Sequence, residues 1–235
     1  MSAFGLLALT LGPGFLILVW IYLKDKYEKE PLPLLVFAFL GGAASTLLVL
    51  GANLLWTYNG FGINDNNLFQ TAFYAFVSVG ATEELVKLAV VLIICYPRKA
   101  FNEPFDGIVY TTAVSMGFAT AENLIYVYVN SKPEQSHWVA LLRMFSAVPA
   151  HATFAILMGF FIGNSKFTRN GFLYILLGWL IASFLHGAYD FFLFIRNIPG
   201  ISIGAFLSLY LGIRYARKAI RVNQETSPFR APFYE

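Results

Sequence analysis

Charge is scarce in this chain. Lys, Arg, Asp and Glu together account for 12% of 235 residues, and 58% are hydrophobic. A soluble domain carries about 25% charged residues, so the composition excludes an ordinary soluble enzyme. The formal net charge is only +3; it is read through membrane topology, and no nucleic-acid partner is expected. The one cysteine, Cys95, rules out an intramolecular disulfide. No basic segment precedes the first apolar run, so a cleavable signal peptide is not expected. Neither G-x-S-x-G nor H-E-x-x-H occurs, which removes the serine-hydrolase elbow and the ordinary zincin helix. Internal repeats and low-complexity stretches are also missing.

In their place stand long apolar runs. A helix needs about 20 apolar residues to cross a bilayer. Hydropathy then predicts an all-α polytopic transmembrane helix bundle in a lipid bilayer. Its seven spans lie near 3–23, 34–56, 69–96, 105–129, 138–163, 171–195 and 199–215. The whole of 1–235 is one membrane domain, and 216–235 form a basic tail placed at the anionic inner leaflet. Alternate loops hold twelve basic residues on one side (Lys24, Lys26, Lys29, Arg98, Lys99, Lys166, Arg169, Arg214, Arg217, Lys218, Arg221, Arg230) and two on the other (Lys132, Arg196). The positive-inside rule therefore puts the N-terminus outside and the C-terminus in the cytoplasm. An eighth span is the alternative, but it breaks this alternation. Gly12-Pro13-Gly14 predicts a kink in the first span. Gly41 to Ser45 predicts close helix packing in the second. Residues 24–33, KDKYEKEPLP, read as a solvated hinge, and the polar run 59–67, with Asp65, as an outer turn.

A few polar residues interrupt the spans: Glu83, Glu84 and Lys87; Glu122 and Asn123; Arg143 and His151; His186 and Asp190. A charge at the centre of a bilayer costs about 2.5–3.5 kcal/mol on insertion scales, so such residues face the bundle interior. Four successive spans contributing them predicts one shared pocket, between the mid-plane and the outer interface. Glu83 and Lys87 share a helix face at i, i+4, as do His186 and Asp190. Glu84 points about 100° from Glu83, so the two glutamates take different partners, and either can be the base. Asn123 reads as an interhelical hydrogen-bonder with a supporting role, and Arg143 as a side chain that snorkels to the outer interface.

A carboxylate beside a histidine can deprotonate water. A second histidine with a hydrogen-bonding partner can hold an oxyanion. Together these predict hydrolysis with water as nucleophile, which fails if both glutamates lie beyond about 8 Å from His151 and His186. Glu84, Glu122, His151 and His186 are also candidate ligands for a divalent metal such as Zn²⁺, so the site works with no cofactor or with such an ion. The competing class is a proton-coupled transporter or channel, because buried Glu, His and Asp also relay protons.

The motifs come in a fixed order. Tyr22-Leu23-Lys24-Asp25-Lys26-Tyr27 with Glu30-Pro31 is followed by Glu83-Glu84-Leu85-Val86-Lys87. Next come Phe105-Asp106-Gly107-Ile108-Val109-Tyr110 and Gly117-Phe118-Ala119-Thr120-Ala121-Glu122-Asn123, and finally His151 and Leu185-His186-Gly187-Ala188-Tyr189-Asp190. Along nearly its whole length the chain resembles the PrsW family of bacterial intramembrane proteases. It is similar also to the larger CAAX-protease and bacteriocin-immunity superfamily, whose pattern is a paired glutamate, then Phe-xxx-His, then His-xxx-Asn/Asp. The resemblance implies Glu83 or Glu84 as the base and His186 with Asp190 as the oxyanion-stabilising pair. It implies as substrate a single-span membrane protein, an anti-sigma factor cut at its first site in a stress response at the bacterial cell membrane. The chain departs from the superfamily at Glu122, where a histidine is usual. That departure argues against a prenyl-protein substrate and leaves His151 as candidate for the second water-holding group.

Overall fold

The computed structural model describes residues 2–64, 66–195 and 197–230. Asp65, Arg196 and the end of the tail, with Pro232, lie outside the described residues. Among those described, every regular element is helical. The helices are α1 (Ala3–Lys24), α2 (Leu32–Tyr58), α3 (Leu68–Phe73), α4 (Thr82–Val90), α5 (Pro104–Leu124), α6 (Ser136–Phe145), α7 (Ala147–Ser165), α8 (Gly171–Phe194) and α9 (Ile203–Glu225). Three π-helical stretches join them into longer rods: Tyr74–Ala81 links α3 to α4, Val91–Cys95 continues α4, and Ile125–Asn130 continues α5.

Four segments are long and apolar enough to cross a membrane: Ala3–Lys24, Leu32–Tyr58, Ser136–Ser165 and Gly171–Phe194. Their outward faces carry large apolar side chains such as Leu16, Leu47, Leu48 and Phe172. In water such faces would be an aggregation hazard; in lipid they are solvated. The remaining rods carry charge: Glu83, Glu84 and Lys87 interrupt one, and Arg214, Arg217, Lys218 and Arg221 line the last turns of α9.

The rods are arranged around α5. Nearly every residue of α5 is buried, from Pro104 to Thr120 without a break, and it packs most extensively against α7 and α2. Glycine makes this approach possible. A Cβ on Gly107 would lie 2.3 Å from the Gly159 carbonyl oxygen, and one on Gly163 would lie 1.9 Å from that of Pro104. On the opposite face, a Cβ on Gly117 would meet the Phe39 carbonyl at 1.9 Å, and one on Gly42 the Val114 carbonyl at 1.9 Å. In lipid, helix association relies on such backbone proximity, since the hydrophobic effect gives little drive between apolar helices. The small-residue run in α2 thus packs as its composition implies. α5 starts sharply because Pro104 opens it and Glu103 and Asp106 form a reciprocal capping box.

Two expectations need correction, and one span carries an internal break. The span expected at 138–163 falls within the candidate span Ser136–Ser165, whose helix is interrupted at Ser146 (φ −123°, ψ −70°). Pro149 has no N–H for the Phe145 carbonyl, so the helix restarts there. The stretch 24–33 is not a freely solvated hinge, because Asp25 and Glu30 are buried within it. Finally, α9 runs on to Glu225, with Ala216, Ala219, Ile220 and Asn223 buried on its packed face.

Candidate active site

The π-helical stretch Tyr74–Ala81 feeds directly into α4. A π-turn shifts the helical register, so the face presented by the next turn is rotated, and such turns recur at functional sites. The first turn of α4 presents Glu83 and Glu84, and Lys87 follows one turn later. The tight contact of Gly80 and Gly187 brings this stretch against α8: a Cβ on Gly80 would lie 2.8 Å from the Ser183 carbonyl oxygen. His186 is thereby set beside the glutamates.

Lys87 is the electrostatic centre. Its Nζ lies 2.7 Å from Glu84 Oε1, 3.4 Å from Glu83 Oε2 and 3.1 Å from His151 Nδ1. It also sits 4.3 Å above the Phe118 ring centroid, a cation–π contact. Glu84 Oε1 accepts a second hydrogen bond from His186 Nδ1 at 2.9 Å. The other ring nitrogen, His186 Nε2, faces Asp190 Oδ2 at 3.4 Å and Glu83 Oε2 at 3.9 Å. Across the pocket, Glu122 Oε2 lies 2.9 Å from His151 Nε2 and accepts from Arg143 Nη2 at 2.5 Å. Arg143 Nε donates to Asn123 Oδ1 at 2.6 Å, and its guanidinium stacks 4.1 Å from the Tyr126 ring centroid. Asn123 in turn donates to the Thr10 carbonyl at 3.2 Å. The two imidazoles stand edge to face, 5.2 Å between centroids, and Phe154 stacks on His186 at 5.0 Å.

These contacts assign tautomers. An ammonium only donates, so His151 Nδ1 is the acceptor toward Lys87 and its Nε2–H donates to Glu122. His186 donates through Nδ1 to Glu84, and its Nε2 faces the pocket between Asp190 and Glu83. The cavity of about 390 Å³ is lined by Glu83, Glu122, Arg143, His151, His186 and Asp190, and also by Asn53, Asn130 and Phe194. Glu84 and Lys87 do not line it; both are wholly enclosed behind it. All the predicted site residues are therefore brought together, with distinct places. The distance condition for hydrolysis is met with room to spare.

Arg143 is the residue misread from sequence. It does not snorkel: it is ion-paired to Glu122, and its helix α6 packs against α1 and the Ile125–Asn130 stretch. The signal that could have found it is the Glu122-Asn123 pair, an acid and an amide otherwise lacking a cation partner.

The donor set fits a divalent ion. Glu83, His151 and His186 each offer one atom, all within 4.8 Å of one another. Here Glu83 takes the place expected of Glu84 and Glu122, and His151 would release Lys87 or Glu122 to bind the ion. His186 already donates its second N–H to a carboxylate, the support that metal-bound histidines usually have. With its carboxylates ionised, the pocket holds four negative groups against Lys87 and Arg143, an excess of two negative charges. Buried charge of that size needs a counter-ion or bound protons.

A family model described as "PrsW family intramembrane metalloprotease" matches residues 30–215. The chain is 35% identical over 205 residues to Protease PrsW of Geobacillus kaustophilus (strain HTA426), covering 87% of this chain and 86% of that one. It is 30% identical over 225 residues to Protease PrsW of Bacillus subtilis (strain 168), covering 94% and 98%. To Protease PrsW of Clostridioides difficile (strain 630) it is 36% identical over 195 residues, covering 81% and 80%. No solved structure matches the chain. With a polar pocket buried among apolar helices and relatives matched over most of their length, the chain belongs to the PrsW family of intramembrane proteases and is a multi-pass protein of the cell membrane.

Proposed function

We propose that this protein is an endopeptidase that hydrolyses a peptide bond of a single-span membrane protein near the outer membrane boundary, with Glu83 as the proton acceptor for water. The observation that carries this is the convergence of Glu83, His151 and His186 within 4.8 Å in an open cavity. The separation of 3.9 Å between Glu83 Oε2 and His186 Nε2 is too long for a direct hydrogen bond but suits one water oxygen bonded to both. Glu83 removes the water proton as oxygen attacks the carbonyl carbon, then delivers it to the leaving amine nitrogen. His186 steers the water, and Asp190 holds the ring that does so. Arg143 lines the cavity and has N–H groups beyond those bonded to Glu122 and Asn123, so it is the donor available to the developing oxyanion. Lys87 and Glu84 act through these groups by fixing both imidazoles. A divalent ion, when bound, supplies Lewis-acid polarisation and a more acidic water; Glu83, His151 and His186 would hold it.

Asn53, Asn130 and Phe194 also line the cavity and lie near helix ends that the positive-inside reading of seven spans, N-terminus outside, assigns to the outer face. On that reading the cavity is reached from outside, which favours a first-site cut of an anti-sigma factor. The test is purified protein in detergent with a single-span anti-sigma substrate, its fragments read by mass spectrometry with and without chelator. Cleavage near the outer boundary that vanishes in Glu83→Gln is expected. Undiminished cleavage by Glu83→Gln would overturn the assignment.

A further inference from the structure

A second set of acids lies at the other end of the bundle, where α1 ends and α5 begins. Asp25, Glu30, Glu103 and Asp106 are all buried there, none more than 4% exposed. Some of their oxygens are satisfied. Tyr110 donates to Glu30 and Ser227 to Glu103. The backbone N–H groups of Asn102 and Glu103 donate to Asp106 Oδ2 at 2.6 and 2.8 Å. Both oxygens of Asp25, Oε1 of Glu103 and Oδ1 of Asp106 are buried with no donor. Lys29 directs its ammonium at the Tyr22 and Asp25 carbonyls, and Lys166, on the Asp106 side, directs its own at the Phe101 carbonyl at 3.0 Å. Glu28 stands at the edge, bonded to Asn102 Nδ2 at 2.9 Å, and the Cys95 thiol approaches Glu30 from the third rod. Four carboxyl oxygens are thus buried together at this end of the bundle with no donor for any of them. Two carboxyls can hydrogen-bond only if one keeps its proton.

We propose that these four acids form a proton-loaded latch, which holds the C-terminal end of α9 against α1 and α5 and releases it as the pH rises. Several side-chain bonds fasten the end of α9, among them one from Asn164 Nδ2 of α7 to Asn223 Oδ1 at 2.8 Å. Ser227 bonds Glu103, Gln224 Nε2 donates to the Lys24 carbonyl at 2.5 Å, and Asn223 Nδ2 donates to the Pro104 carbonyl at 2.9 Å. A bound cation is the weaker account of the charge. Among the described residues the one group of three acids or histidines whose donor atoms converge within 4.8 Å is in the active site, not here. Four buried carboxyl oxygens without donors are satisfied by bound protons.

The sign follows from burial. Burial pushes Asp25 up to about 6 against the pull of Lys29, and Glu103 up to about 7 against the Ser227 hydroxyl. Glu30 is also raised, by burial and by Asp106. The docked state thus binds protons more tightly than the open state. Docking is strongest below the ordinary carboxylate range, about pH 4, and weakens as the pH climbs through about 6 to 7.

The test uses the full chain in lipid nanodiscs. Hydrogen exchange of residues 222–230 is measured at about pH 5.5 and about pH 8 and corrected for the chemical exchange rate. Protection in the unaltered protein should fall about tenfold or more across this range. In Asp25→Asn/Glu103→Gln, whose amides mimic protonated acids, protection should stay high at both. The infrared signal of protonated carboxyls at the lower pH should drop in that variant. The proposal is overturned if both proteins share one pH profile. It is equally overturned if the amide variant loosens the segment at every pH, since that would mean the acids work as carboxylates around a cation.

Discussion

Glu83 and Glu84 are adjacent, yet neutralising them one at a time should have opposite consequences. Glu84 is wholly enclosed and holds Lys87 at 2.7 Å and His186 at 2.9 Å. At an effective dielectric of about 20, a pair at that separation attracts by roughly 6 kcal/mol before desolvation is counted. Measured losses on breaking buried pairs are about 3–5 kcal/mol, and Glu84→Gln should approach the lower end because Glu83 remains beside Lys87. Glu83 is bound less closely, to Lys87 at 3.4 Å. Its neutralisation leaves the Glu84–Lys87 pair intact and relieves the pocket's negative excess, so Glu83→Gln should change stability by less than about 1 kcal/mol. As the proton acceptor, however, it should lose about 10²–10⁴-fold in turnover. The assay pairs thermal unfolding in detergent with the cleavage rate of a single-span substrate, normalised to folded protein. The expected pattern is an inactive, stable Glu83→Gln and an unstable Glu84→Gln with residual turnover. If Glu83→Gln unfolds as readily as Glu84→Gln and cuts in proportion to what stays folded, Glu83 is structural and the assignment of the base is wrong.

Other consequences can be checked alongside. Arg143→Met removes two charge-assisted hydrogen bonds, worth about 1.5–3 kcal/mol each when buried; turnover should fall about tenfold or more, with Arg143→Lys in between. Gly117→Ala drives a Cβ to 1.9 Å from the Phe39 carbonyl, so α2 must move and stability should drop by about 1–3 kcal/mol or more. Gly51→Ala, with nothing within 4 Å, is the neutral control in the same melting experiment. Zn²⁺ added to chelator-stripped protein should raise the melting temperature, and His186→Ala should abolish the response. No shift in either protein would mean that protons, not an ion, balance the pocket.

The helical bundle and the identity of the polar residues could be read from sequence because the bilayer imposes a simple rule. Apolar runs cross, and ionisable groups inside them must meet one another. Rotation and register could not be read. A 100° step separates Glu83 from Glu84, but the π-helical Tyr74–Ala81 sets which one faces the cavity, and a π-turn has no sequence signature. Arg143 was misplaced for a similar reason: its direction depends on how α6 packs against α1 and the Ile125–Asn130 stretch. The buried acids of 24–33 and 103–106 were hidden by composition, since a charged loop ordinarily seeks water. Only tertiary contact with Tyr110 and Ser227, far along the chain, encloses them.

The pocket's charges differ in how completely they are engaged, and that difference separates structural groups from reactive ones. Glu84 gives one oxygen to both Lys87 and His186. Glu122 gives one to both Arg143 and His151. Each carboxylate is spent on orienting a base and a cation, and neither has freedom to take a proton without releasing two partners. Glu83 has only long contacts, at 3.4 and 3.9 Å, and lines the cavity. Asp190 has one, at 3.4 Å, and lines it too. His186 Nε2 lies between these two under-bonded acids. A group that must exchange protons with water during each turnover cannot already be saturated by its neighbours, because each bond to the ionised form stabilises it against protonation. By that criterion we propose Glu83, His186 and Asp190 as the groups that exchange protons. Glu84, Lys87, Glu122 and His151 would then be the frame that holds them and the oxyanion donor Arg143 in place.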